Sequence, residues 1–218
     1  MHLAPEGKAI WGSAAVLGAA SLIFAIGISN SASLWIGVCG CLPGVLAGLV
    51  FRDPQRSPPD TPGAVVAPAD GKIIEITTIP AQVEETGDRC KISIFMSLLN
   101  VHVNRVPIGG VIRSLHYCRG RFLTAFYLKA SLQNEQQWIG IESPCGLVDC
   151  VQVAGWLTRR IVCHLKEGQE VATGQRFGMI IFGSRLDLYL PENFTLNVIV
   201  GQKVRAGETT LGLLHETN

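Results

Sequence analysis

Twenty consecutive residues, Ala9 to Ile28, carry no charge. In hydrocarbon the backbone has no water to bond, so a run of this length and polarity is stable there only as a helix, and it is long enough to span a bilayer core. A second apolar run, Leu34 to Phe51, follows the uncharged Ser29-Asn-Ser-Ala-Ser33 and is interrupted by Pro43. The pair predicts an N-terminal transmembrane helical hairpin over residues 1–51, as two spans or as one span and a shallow re-entrant segment. A cleaved signal peptide accounts for Lys8 and the small residues of the first run, but not for the second. Lys8 stands before the pair and Arg52 and Arg56 after it, while the turn is uncharged. Positive residues stay inside, so both ends, and the rest of the chain, are expected on the cytoplasmic face of the cell membrane.

The next stretch, residues 52–63, has the proline density of an extended linker, with Arg52 and Arg56 expected at the depth of lipid headgroups. From 64 to 218 short β signals dominate. Lys72–Thr78, Lys91–Met96, Gly110–Tyr117, Gln137–Ile141, Leu147–Val153 and Arg159–Cys163 are rich in β-formers and bounded by Gly, Pro or Asp. The best helix signal is a short piece near Leu128 to Gln136. Gly168-Gln-Glu-Val-Ala-Thr-Gly-Gln175 recurs as Gly201-Gln-Lys-Val-Arg-Ala-Gly-Glu208, and an apolar strand follows each, Phe177–Phe182 and Thr209–Leu214. Two tight glycine turns around an inward valine are similar to the turns of barrel-sandwich folds such as lipoyl and biotinyl carrier domains. The fold class expected is mainly β (α+β): the helical hairpin, then a β-rich domain over 64–218 with barrel-sandwich-like repeats.

Lys+Arg 18 against Asp+Glu 17 leaves almost no net charge, which argues against a nucleic-acid binder. The cysteines, Cys39, Cys41, Cys90, Cys118, Cys145, Cys150 and Cys163, are odd in number and form no paired Cys-x-x-Cys knuckles. No metal site is expected from them, and buried, reduced thiols are the default reading.

Apolar Met179 to Phe182 leads into Gly183-Ser184, after which Arg185-Leu-Asp-Leu-Tyr-Leu190 alternates. Two strands are therefore expected to meet at a Gly-Ser joint inside β structure, where a bare Gly-Ser is ordinarily a bulge. Upstream stand Phe51-Arg-Asp-Pro, Pro68-Ala-Asp-Gly71 and Phe95-Met-Ser-Leu-Leu-Asn-Val-His-Val-Asn-Arg-Val-Pro107. As an ordered set, from about Phe51 to the end, these resemble the short, archaeal-type form of phosphatidylserine decarboxylase, a pyruvoyl-dependent family.

The resemblance implies a self-processing enzyme that converts phosphatidylserine to phosphatidylethanolamine and carbon dioxide. In that family the serine hydroxyl attacks the preceding carbonyl, the ester undergoes β-elimination, and the dehydroalanine hydrolyses to a pyruvoyl group, which forms a Schiff base with the substrate amine. Carried over, Gly183 ends a large fragment (1–183), and Ser184 becomes the pyruvoyl cofactor capping a small one (184–218), the two staying associated at the membrane.

Asp70 matches the aspartate that orients a histidine in longer members, although an Asp-Gly turn is its plain structural reading. Those members have His-x-x-His-x-Pro, whereas this chain has His102-Val-Asn-Arg-Val-Pro107, with Arg105 at the second position. On this resemblance the candidates for the base that activates Ser184 are His102 and His116, and Arg105, Arg159 and Arg160 are candidates to fork the substrate phosphate, with His116 beside them. The alternative class is a membrane-anchored carrier module. It would present a lysine in a Met-Lys-Met or Asp-Lys-Ala tip, and neither occurs in the chain.

Overall fold

The computed structural model describes residues 2–28, 31–80, 87–123, 133–156, 160–181 and 184–216, in two compact units, Met1–Gln55 and Arg56–Asn218. In the first, strand β1 (His2–Leu3) pairs with β2 (Arg52–Asp53), bracketing helices α1 (Lys8–Ile28) and α2 (Ser31–Val50). A ridge of small residues on α1, Ala14, Gly18, Ser21 and Ala25, meets Gly44, Cys41, Gly40 and Gly37 of α2 in antiparallel order. A methyl group at Gly37 would lie 2.9 Å from Ala25 Cβ, so the close approach depends on the missing side chain. Large apolar side chains, Leu17, Ile23, Phe24, Val38, Leu42 and Val45 among them, point outward instead. Small inside and large apolar outside inverts the pattern of a water-soluble helix pair.

Pro5–Gly27 is long and apolar enough to cross a membrane, and among the described residues the second helix adds the shorter apolar stretch Gly37–Val50. Pro43 does not break that helix, which runs on through it. Residues 29 and 30 of the expected turn lie outside the described residues.

The second unit is built from β3 (Ala64–Val66), β4 (Gly71–Ile79), β5 (Arg89–Met96), β6 (Val103–Arg105), β7 (Gly110–Cys118), β8 (Gln136–Ser143) and β9 (Gly146–Val153). It continues with β10 (Ile161–Cys163), β11 (Glu170–Val171), β12 (Arg176–Ile180), β13 (Ser184–Leu190), β14 (Phe194–Leu196), β15 (Lys203–Val204) and β16 (Thr210–Leu214). One antiparallel eight-stranded sheet has the order β11-β7-β8-β9-β13-β5-β4-β15, and two three-stranded sheets have the orders β10-β12-β6 and β14-β16-β3. The core fills with alternate residues of the large sheet, Ile92, Ile94, Met96, Leu186, Leu188 and Leu190, packed with Val65, Phe177, Ile180 and Leu211 from the smaller ones. Of the short helix expected near Leu128 to Gln136, residues 128–132 lie outside the described residues, and Gln136 already opens β8.

The internal repeat has a structural counterpart. Gly168, Gly174, Gly201 and Gly207 all have φ between +73° and +93°, a backbone state that other residues reach only with strain. Val171 and Val204 between them are buried, and their strands close the two opposite edges of the large sheet. The strand after each repeat, β12 or β16, becomes the middle strand of a small sheet.

The proline-rich stretch corrects one expectation. Arg56 does not reach toward a headgroup: its side chain is buried, 2.9 Å from Asp70 and 2.8 Å from Glu208. Two carboxylates in its own unit outcompete solvent for a guanidinium whose fork suits them.

Candidate active site

The strands on either side of the Gly-Ser joint belong to different sheets. Strand β12 ends at Ile180 in a three-stranded sheet, and β13 begins at Ser184 in the middle of the eight-stranded one. Phe182 and Gly183 lie outside the described residues. Ser184 is wholly buried, and its Oγ has no hydrogen-bond partner among the described residues. An unpaired buried hydroxyl costs roughly 1–3 kcal/mol, which marks a group held for something other than stability.

Both neighbours of β12 bring a sequence-predicted residue to this point. On one side Ile180 N–H donates to the carbonyl of His102, just before β6, and on the other Ile181 N–H donates to the carbonyl of Arg160, just before β10, each at 3.4 Å. His102 is fully buried, while Arg160 is exposed. Arg159 lies outside the described residues.

Asp70 precedes β4. Lys72 pairs with Phe95, and Phe95 with Arg185, so Asp70 and Ser184 emerge at the same end of the sheet on strands two spacings, roughly 10 Å, apart. The carboxylate of Asp70 does not bond a histidine: it accepts from Arg56 at 2.9 Å and from the Ala206 N–H at 2.7 Å. Arg105 donates its own N–H to the carbonyl of Pro68 and its Nη1 to that of Gly174, 3.0 Å away in the first repeat turn. His116 stands elsewhere. It is exposed on β7, in the cross-strand row His116, Trp138, Val151, Asp187, three spacings or roughly 14 Å from β13.

Two buried amides beside Ser184 were missed by the sequence reading. Ser184 faces Met96 across the β13–β5 pair; Asn104 Nδ2 lies 3.7 Å from Met96 Sδ, and Gln152 Nε2 donates to Asn104 Oδ1 at 2.8 Å. Gln152 carried a signal, since it occupies an inward position after Val148 and Cys150 where the alternation calls for an apolar residue.

The other face of β13 holds a second surprise. Arg185 and Asp187, at positions an alternating strand ordinarily turns to water, are buried and 2.6 Å apart. Glu75 Oε2 accepts from Arg185 at 2.7 Å, Lys91 at 3.0 Å and Ser93 at 3.1 Å. Burial opposes ionisation of Glu75, but the Lys91 ammonium and the Arg185 guanidinium outweigh it and hold the carboxyl below its ordinary range. Burial also pushes the Tyr189 phenol and the Cys150 thiol up. Of the cysteines, Cys145 and Cys150 are buried, Cys39 is exposed and the rest are intermediate.

Comparison with known proteins bears on the same residues. The family model described as phosphatidylserine decarboxylase matches residues 47–212. The chain is 48% identical over 162 residues to a phosphatidylserine decarboxylase proenzyme of Chlorobaculum tepidum, covering 74% of each chain. It is 43% identical over 203 residues to one of Geobacter sulfurreducens, covering 92% of each, and 45% identical over 185 residues to one of Neorickettsia sennetsu, covering 84% of this chain and 82% of that one.

Proposed function

The chain belongs to the phosphatidylserine decarboxylase family, and from that membership we propose a residue-level account of how it matures and acts. It is a self-processing, pyruvoyl-dependent lyase of phospholipid biosynthesis that converts phosphatidylserine to phosphatidylethanolamine and carbon dioxide. The observation that carries the residue assignment is the buried, unpartnered hydroxyl of Ser184 at the point where the chain passes from one sheet to another.

Ser184 Oγ attacks the carbonyl carbon of Gly183, turning the amide into an ester. Loss of the Ser184 α-proton then expels the Gly183 carboxylate, and water replaces ammonia on the remaining fragment. His102, buried where β6 meets the strand leading to Gly183, is the proposed acceptor of the hydroxyl proton. The Asn104 and Gln152 amides stiffen the wall that faces Ser184. Asp70 acts by fixing the turn before β4 through Arg56 and Ala206.

A carbonyl derived from Ser184 fits this place: the orphaned hydroxyl faces Met96 across the strand pair and has no hydrogen-bond donor among the described residues to displace. Once formed, it supplies an electron sink for decarboxylation. Arg160, exposed beside Ile181, is the proposed phosphate ligand; Arg105 supports the site through the Gly174 turn. His116 is not placed in it.

We further propose residues 1–51 as a hairpin anchor of two spans, 52–63 as the connection and 64–218 as the catalytic domain on the cytoplasmic face. What supports this is the apolar exterior of both helices and the positive residues at both ends of the pair. The barrel-sandwich-like reading rests on the matched positive-φ turns at the two sheet edges. The test is direct. Full-length protein should run as two fragments on a denaturing gel and release carbon dioxide from carboxyl-labelled phosphatidylserine, while Ser184→Ala should remain one inactive chain; an active, uncleaved protein would refute the assignment.

A further inference from the structure

The antiparallel order of the large sheet brings the loop after Met96, the segment after Cys118, the segment after Val153 and Ser184 to one end. Large apolar side chains stand in solvent there: Leu98 is 44% exposed, Leu99 61%, Phe122 37% and Trp156 69%. Scattered exposed apolar residues are ordinary, but these come from three separate loops gathered around the end that carries Ser184.

Hydrogen bonds order the backbone behind them. Asn134, itself buried, donates to the carbonyls of Leu123 and Ala154 at 2.7 Å and accepts from Leu123 N–H at 2.9 Å. Ser97 closes the Leu98–Leu99 turn by donating its N–H and Oγ to Asn100 Oδ1. Arg119 and Arg121 are exposed at this end, whereas the opposite end of the sheet exposes Asp88, Glu142 and Glu192.

We propose that this end is a docking rim for an anionic bilayer. Leu98, Leu99, Phe122 and Trp156 enter the interface, and Arg119 and Arg121 meet lipid phosphates, so the catalytic unit seats its Ser184 end on the leaflet by contacts of its own. Charge complementarity selects the partner: the apolar tips and cations fit a negatively charged lipid surface, and the acidic opposite end does not. The inference rests on the lipid substrate stated above.

The test uses full-length protein and the variant Leu98→Ser, Leu99→Ser, Trp156→Ser, with self-cleavage on a gel reporting that it has folded. If the triple variant does not cleave, Trp156→Ser alone replaces it. Each is assayed on phosphatidylserine in phosphatidylcholine–phosphatidylglycerol vesicles and on monomeric short-chain phosphatidylserine. The ratio of vesicle rate to monomer rate should fall about tenfold or more, since interfacial contact is lost while the reaction is not. In vesicles with brominated acyl chains, Trp156→Phe should remove a distinct share of the tryptophan quenching, over the constant background from Trp11 and Trp35 in the apolar helices. An unchanged ratio with unchanged quenching overturns the proposal, as does an unchanged ratio with a shift from dimer to monomer in detergent, which would assign the rim to a second copy. Wild-type protein that decarboxylates neither substrate would defeat the functional reading instead, and the quenching would still decide the rim.

Discussion

Arg56 Nη2 lies 2.9 Å from Asp70 Oδ2, with only 9% and 12% of the two side chains exposed. The other Asp70 oxygen takes the Ala206 N–H, and the other arm of Arg56 takes Glu208, so a single carboxylate ties residue 56, the turn before β4 and the second repeat turn together. Asp70→Asn keeps the volume and leaves a buried guanidinium short of one charge, at a cost of about 3 kcal/mol. It should lower the melting temperature and slow self-cleavage, and Arg56→Ala should do the same. If Asp70→Asn blocks cleavage with the melting temperature intact while Arg56→Ala matures normally, Asp70 acts on the reacting atoms and not through the turn.

His102 and His116 are separable by place. His102 is buried against the strand that leads to Gly183, and His116 is exposed three strands from β13. His102→Ala should slow appearance of the small fragment by about 100-fold or more, the usual scale for loss of a general base. His116→Ala should stay within about twofold of wild type. A time course of fragment formation on gels checks both, and a reversed pattern would move the base to His116.

The buried charges behind Ser184 predict an acid-sensitive fold. Glu75 is held below its ordinary range, so it stabilises the folded state above its unfolded value, and that contribution is lost as pH falls through the folded one. Melting temperature should drop on acidification below the usual glutamate range. Glu75→Gln should cost about 2–3 kcal/mol at neutral pH and give a shallower acid limb. Parallel acid limbs for the two proteins would show that Glu75 does not set the dependence.

With cleavage before Ser184, as proposed, Arg185 would lie in the small fragment and its partners Glu75 and Ser93 in the large one. These bonds, and the pairing of β13 with β5 and β9, should keep the fragments together through gel filtration without denaturant. Arg185→Met should release the small fragment at a lower urea concentration. By mass, the small fragment should be about 17 mass units lighter than the serine peptide, the net loss of one ammonia, and its N-terminus should resist Edman degradation.

Thiol chemistry gives a further check. Cys145 and Cys150 are buried, and burial raises the Cys150 thiol well above its ordinary value, so it is protonated and unreactive at neutral pH. Alkylation of native protein should spare both, with Cys145 and Cys150 labelled only after unfolding. Rapid native labelling of Cys150 would contradict the packing of β9.

Much of this molecule was legible in residue order because the relevant physics is local. An uncharged run as long as Ala9–Ile28 has few stable forms other than a helix, and the alternation Leu186, Leu188, Leu190 marks one face of a strand whatever lies beside it. The repeated Gly-x-x-Val-x-x-Gly announced its turns because positive φ is cheap only for glycine. Period-two patterning tells which side chains share a face but not what covers that face. The alternation alone therefore could not place Arg185 and Asp187, and only the packing of the sheet showed them paired in the interior. Strand pairing joins residues distant in the chain, so no spacing could say that Asp70 binds Arg56 and Ala206, that His102 and Arg160 flank the strand before Gly183, or that His116 stands three strands away. Those choices belong to the tertiary structure, where buried charges and polar groups take whichever partners the sheet order brings within reach.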